Sequence, residues 1–171
     1  GVRLVGSEMC IRDSYRRILD PTMSKSNVLI AGPTGTGKTE MVRCLSKFLD
    51  VPFIIVDSTN FTSKGFVGED IDGIFQRLLA QCDGDISLAE KGIVFLDEVD
   101  KLARRGVGDF GVNTVAVQQE LLKAIEGTDV RVSLPSNSQN QSSSTTLNTD
   151  HILFICSGAF VGLDSASKEK I

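Results

Sequence analysis

One stretch constrains this chain more than any other: Gly32-Pro33-Thr34-Gly35-Thr36-Gly37-Lys38-Thr39. It fits the pattern G-x-x-x-x-G-K-[ST], and its surroundings suit that pattern. Before it, Asn27 to Ala31 (NVLIA) is a short apolar run that reads as a buried strand. After it, Met41, Val42, Leu45, Phe48 and Leu49 recur at helical spacing. Strand, Gly-rich turn and helix in that order make a phosphate cradle. The glycines let backbone N–H groups curl around phosphate oxygens, and the helix N-terminus adds a favourable dipole. Lys38 is expected to reach the β- and γ-phosphates, and the Thr39 hydroxyl to ligate Mg²⁺. Glu40, the next residue, is grouped with the loop as a nucleotide neighbour.

The rest of the chain repeats this alternation. Pro52 to Val56 (PFIIV) reads as a second buried strand, and Gly92 to Leu96 (GIVFL) as a third. Ile71, Ile74, Phe75, Leu78, Leu79 and Cys82 form one apolar stripe, with Glu69 and Asp70 where the helix dipole favours acids. Val117, Leu121, Leu122 and Ile125 mark another helix, ended by Gly127. His151 to Cys156 (HILFIC) reads as a fourth strand. Tyr15 to Leu19 can finish a helix stopped by Pro21. Strands apolar throughout, alternating with helices, predict an α/β fold: a parallel sheet with helices on both faces, in three layers. The Gly- and charge-rich residues 101–114 are expected to form a surface loop. The Ser-, Asn-, Gln- and Thr-rich stretch 133–149 is expected to be a flexible insertion.

A second chemical signal lies about sixty residues beyond the first. Ile93 to Glu98 (IVFLDE) delivers two adjacent carboxylates at a strand's C-terminal end, where open α/β sheets bind ligands. Asp97 is expected to hold Mg²⁺, directly or through water, and Glu98 to orient and deprotonate an attacking water. Phosphoryl transfer asks for positioning and charge neutralisation more than for covalent chemistry, so the pairing of the two signals points to ATP hydrolysis. No Asn-Lys-x-Asp guanine-reading motif occurs, which disfavours a GTPase. Nothing resembles the lid arginines of a small-molecule kinase.

Composition narrows the classes further. The 171 residues are 41% hydrophobic and 23% charged with a formal charge of −4, which suits one globular domain and argues against a broad basic surface for nucleic acid. No apolar run approaches the roughly 20 residues of a membrane span. Cys10, Cys44, Cys82 and Cys156 lie far apart beside a single histidine, so neither a zinc site nor a disulfide framework is indicated. The first fourteen residues, GVRLVGSEMCIRDS, show no period and no caps. They resemble translated sequencing-adapter read-through, so the domain is expected to begin at residue 15 and run to 171.

Taken in order, KSNVLIAGPTGTGKT, LDVPFIIVDST, GFVGEDI, KGIVFLDEVDKL, VQQELLKAIEGT and ILFICSGAFVGLD are similar to the ClpX branch of AAA+ proteins. The unfoldase HslU shares several blocks but carries a long insertion where only about 25 residues separate Gly68 from the Ile93 strand here. The resemblance implies the large subdomain of a P-loop NTPase and a homo-hexameric ring. Such a ring threads protein substrates through a central pore, usually into a ClpP-type peptidase. Gly65, Phe66, Val67 and Gly68 would be the first pore loop, which the family usually writes with Tyr. Residues 106–114 would occupy the second. Ser157 would sit where the family places a polar sensor of the γ-phosphate. Bacterial cytoplasm and mitochondrial matrix both house the family.

The chain departs from that pattern in two ways. The loop near 135–145 is usually basic and helps admit substrates, but here it is uncharged. The arginine finger, second sensor, helical lid and peptidase-docking loop lie downstream of Ile171 in the family. Its zinc-binding domain and adenine-contacting segment lie upstream of this sequence.

Overall fold

The computed structural model describes residues 11, 13–16, 20, 26–61, 70–102, 114–133 and 144–161. The expected pore loop Gly65–Gly68, and all of 106–114 except Thr114, lie outside the described residues, as do residues 1–10 and 12.

Four strands form one parallel sheet: β1 (Val28–Ala31), β2 (Phe53–Asp57), β3 (Ile93–Asp97) and β6 (Leu153–Gly158), in the order β1-β6-β3-β2. All four were predicted as strands within two residues of these bounds. Between them run α1 (Lys38–Leu49), a 3₁₀ turn at Ser58–Asn60, α2 (Ile71–Gln81), and the one-turn helices α3 (Ile86–Ala89) and α4 (Val99–Leu102). Helix α5 (Thr114–Glu126) and the antiparallel pair β4 (Asp129–Ser133) and β5 (Ser144–Asn148) precede β6. Residues 13–16 are helical, and residues 17–19 and 21, where that helix is expected to end, lie outside the described residues.

Successive strand residues point to opposite faces, and the two faces bury different partners. On one side Ile30, Ile93, Phe95, Leu153 and Ile155 pack with Val42 of α1, together with Ile11 and Tyr15. On the other, Val56, Val94, Leu96 and Phe154 pack against Ile74, Phe75 and Leu78 of α2 and Val117, Leu121 and Ala124 of α5. The three-layer expectation therefore holds, with α1 alone covering one face from among the described helices of the main alternation. Ile11 is fully buried and Ser14 nearly so, although both fall in the segment read as adapter-like. The Tyr15 hydroxyl donates to the Lys91 carbonyl at 3.1 Å.

Of the stretch 133–149, residues 134–143 lie outside the described residues, and residues 144–149 differ from the expectation. Residues 144–148 form a strand paired residue by residue with β4, and Leu147 is fully buried against Val132 in the α2–α5 core. Thr149 is also buried, and its hydroxyl accepts the Thr128 N–H at 2.8 Å and donates to the Ala124 carbonyl at 2.9 Å. Val130 and Val132 of β4, inward at period two, and Leu147 of β5 are enough to seat a short ribbon on an existing core.

Candidate functional site

Parallel strands carried in register bring their C-terminal ends to one rim. Ala31 pairs with Gly158, Leu96 with Cys156, and Asp57 with Asp97, so the phosphate loop and the acidic pair open onto the same edge. Strand β6 lies between β1 and β3 and ties the two sides. The Gly32 N–H donates to the Gly158 carbonyl at 3.1 Å, and the Ala159 N–H donates to Asp100 Oδ1 at 3.3 Å.

Above this rim lies a cleft of about 470 Å³ whose walls include Thr34 to Glu40, Arg43, Asp97, Glu98 and Lys101. Gly35 and Gly37 both sit in the left-handed region, at φ 81° and 79°, which a side chain would strain. Gly37 is the N-cap of α1 and offers no side chain to cap the helix, so first-turn N–H groups face the cleft with the positive end of the dipole. That is an anion site by construction. Lys38 is buried at 9% exposure, and its ammonium donates to the Gly32 carbonyl at 2.7 Å and the Pro33 carbonyl at 2.9 Å. The Thr36 hydroxyl donates to the same Pro33 oxygen at 2.9 Å. These bonds hold the loop in its curled form and keep the ammonium beside it.

The two sequence signals meet at Thr39 and Asp97. The Thr39 hydroxyl donates to Asp97 Oδ2 at 3.0 Å across 58 residues of sequence, while Asp97 Oδ1 accepts the Glu98 N–H at 3.0 Å. A hydroxyl and a carboxylate oxygen so close form a hard oxygen pair of the kind that holds Mg²⁺ together with phosphate oxygens and water. Among the described residues no group of three or more His, Cys, Asp or Glu forms a protein cage for a metal. The donor set therefore suits an ion that arrives with a phosphate ligand.

Glu98 also lines the cleft, and its carboxylate is ion-paired with Lys101, one turn along α4. That carboxylate, first of all, holds the Lys101 ammonium above the usual lysine range, helped by the fields of Asp57 and Asp100. Glu40 is exposed and sits 3.9 Å from Arg43, a surface pair of small energetic weight.

The chain belongs to the AAA domain family. The matching family model is described as AAA domain (Cdc48 subfamily) and covers residues 23–171. Among curated relatives, the "ATP-dependent Clp protease ATP-binding subunit ClpX" of Azotobacter vinelandii is 47% identical over 152 residues, which is 87% of this chain and 34% of the relative. The protein of the same name from Borrelia duttonii is 44% identical over 174 residues, covering 95% and 41%. That of Treponema denticola is 41% identical over 174 residues, covering 95% and 42%. The chain thus spans between about a third and two-fifths of the length of the relatives it matches.

Within this AAA domain the structure brings together the predicted loop residues, Glu40, Asp97 and Glu98. It does not bring Ser157 into the cleft. Ser157 shares the face of β6 that carries Leu153 and Ile155, is fully buried, and has no hydrogen-bond partner for its hydroxyl among the described residues. The next two residues, Gly158 and Ala159, form the cleft wall instead. Sequence reasoning missed Arg43, Asp100 and Lys101. Arg43 lies four residues past Thr39 on the same helix face, where helical spacing held the signal, while Asp100 and Lys101 follow directly on Asp97-Glu98 in a helix too short to show a period.

Proposed function

We propose that this AAA domain is the ATP-hydrolysing part of a protein unfoldase of the ClpX type, a homo-hexameric ring that feeds protein substrates to a ClpP-type peptidase. The observation that carries the reading is the hydrogen bond between Thr39 and Asp97, which joins phosphate loop and acidic strand end in one cleft. Three relatives that bear the name of an ATP-binding Clp protease subunit lend it the substrate class. Among the described residues no helix is long and apolar enough to cross a membrane, and the named relatives are bacterial, which favours the bacterial cytoplasm.

In this reading the loop N–H groups and Lys38 bind the β- and γ-phosphates. Thr39 and Asp97 would hold Mg²⁺, which neutralises charge on the phosphate oxygens when bound. Glu98 orients a water and takes its proton as the water oxygen bonds to the γ-phosphorus. The bond to the β–γ bridging oxygen breaks, leaving ADP and phosphate. Phe66, of the Gly65–Gly68 segment, grips the translocating chain. Substrate choice is left to other features, since the usual basic loop is uncharged here.

The test uses the protein expressed from its complete open reading frame and a stably folded, tagged fluorescent substrate. Wild type is expected to abolish the fluorescence in an ATP-dependent manner. Glu98→Gln should fail in both hydrolysis and unfolding, and Phe66→Ala should hydrolyse ATP without unfolding. ATP turnover by wild type with no loss of substrate fluorescence would replace the reading with a non-proteolytic remodeller that dissociates partners.

A further inference from the structure

Glu98 occupies the left-handed backbone region at φ 56°, a conformation that costs a non-glycine residue on the order of 1 kcal/mol and persists only where neighbours impose it. Three contacts impose it here. The Glu98 N–H is fixed on Asp97 Oδ1 at 3.0 Å, the Glu98 carbonyl accepts the Lys101 N–H at 3.0 Å, and the side chains of Glu98 and Lys101 form an ion pair. The first two fix the backbone only. The carboxylate of Glu98, about one-third exposed, depends on Lys101 for its direction.

Lys101 is itself well anchored at its backbone. Leu102, its neighbour, is buried in the α2–α5 core and its carbonyl accepts from Gln118 Nε2 at 3.3 Å. Asp100 is moored to the end of β6 through the Ala159 N–H at 3.3 Å. The ammonium therefore projects from a fixed base over the carboxylate at the cleft wall.

We infer that Lys101 is a positioning residue for Glu98, setting the rotamer in which that carboxylate meets the attacking water. The inference rests on the reading of Glu98 as the general base. An exposed pair of this kind contributes little to stability. Its weight falls on the rate, because a freed Glu side chain regains rotamers that misdirect the base, and each such loss of order appears directly in the barrier. The charge on Lys101 is secured by the surrounding acids Glu98, Asp57 and Asp100.

The experiment measures ATP turnover against ATP concentration for the complete protein as wild type, Lys101→Met, Lys101→Arg and Glu98→Gln, with affinity for a fluorescent ATP analogue taken in parallel. Lys101→Met keeps the stem and removes the charge, so kcat should fall about fivefold, with KM and analogue affinity within about twofold of wild type. Lys101→Arg should restore most of the rate. Combined with Glu98→Gln, Lys101→Met should lower the residual rate no further, as expected of groups acting through one another. A raised KM with kcat intact would overturn the inference by making Lys101 a direct nucleotide ligand. An unchanged or raised kcat would overturn it too, as would an equal loss in the Glu98→Gln background. If Glu98→Gln alone keeps full turnover, the assignment of the base has failed rather than the geometry of its partner.

Discussion

Replacing Thr149 by Val should destabilise the protein by about 1–3 kcal/mol, although the two side chains have nearly the same shape. The Thr149 hydroxyl stands where the end of α5, the start of β4 and the entry to β6 converge. It accepts the Thr128 N–H at 2.8 Å and donates to the Ala124 carbonyl at 2.9 Å, with the Thr128 carbonyl also within reach at 3.2 Å. The residue is fully buried, so water offers no substitute on the Ala124 side. The two buried backbone groups left without a partner cost roughly 1–2 kcal/mol each, while the extra methyl of Val returns about 1 kcal/mol of apolar burial. With a urea m-value of about 2 kcal/mol/M, the midpoint should move down by about 1 M. Thr149→Ser is the control, since it keeps the hydroxyl and loses one methyl, about 1 kcal/mol. Equilibrium urea unfolding followed by far-UV circular dichroism ranks the three proteins. Val at or above the wild-type midpoint, or Ser less stable than Val, would refute the argument that the hydroxyl joins these segments.

Gly158 should tolerate no side chain: a Cβ there would lie 2.6 Å from Asp100 Oδ1 and 2.8 Å from Phe160 Cε2, so Gly158→Ala must displace Asp100 from the Ala159 N–H. The expected outcome is a loss of about 1–3 kcal/mol in stability and a measurable drop in affinity for a fluorescent ATP analogue, and an unaltered affinity would show that the β6 end does not set the cleft. The half-buried Cys156 thiol is pushed up to about 11 by desolvation, so its contribution to stability is full below the ordinary thiol range and is lost as pH climbs from about 9 towards 11. Cys156→Ala should flatten that alkaline decline, and at pH 8 iodoacetamide should label exposed Cys44 well before Cys82 or Cys156, as peptide mass mapping would report.

The parallel sheet was legible because its strands are apolar on both faces, and a run such as Ile93 to Leu96 has no other economical use in a chain of this composition. The phosphate loop was legible because its chemistry demands fixed residue types at fixed offsets. Other features escaped for physical reasons. Helices α3 and α4 are four residues each, too short to display a period, and α3 is fixed by Asp85, whose carboxylate accepts the Leu88 N–H at 3.1 Å. Strand β5 (STTLN) buries only Leu147 fully, so its composition reads as polar linker while its pairing with β4 supplies the order. Ser157 was assigned by resemblance to the place of a family sensor, whereas which face of β6 it occupies is decided by alternation from Leu153. The ion pair between Glu98 and Lys101 hinges on a one-turn helix, and no periodic pattern announces one of those.

The sheet order gives the site a dependence that neither motif has alone. Phosphate loop and acidic pair sit at the ends of β1 and β3, which do not touch each other, because β6 runs between them. The Gly158 carbonyl takes the first N–H of the phosphate loop, and the N–H of the same peptide group, that of Ala159, goes to Asp100 beside the acidic pair. The two ends of a single peptide group thus set the spacing between the phosphate loop and the acidic pair. Glycine suits that junction, since a Cβ there would push against the Asp100 and Phe160 side chains. A small shift of β6 along its axis would move the two sides together, whereas a change confined to either motif would leave the other in place. The geometry of the cleft is therefore a property of the central strand's register, held by Ile30 against Ser157 and Phe95 against Ile155 in the core below it.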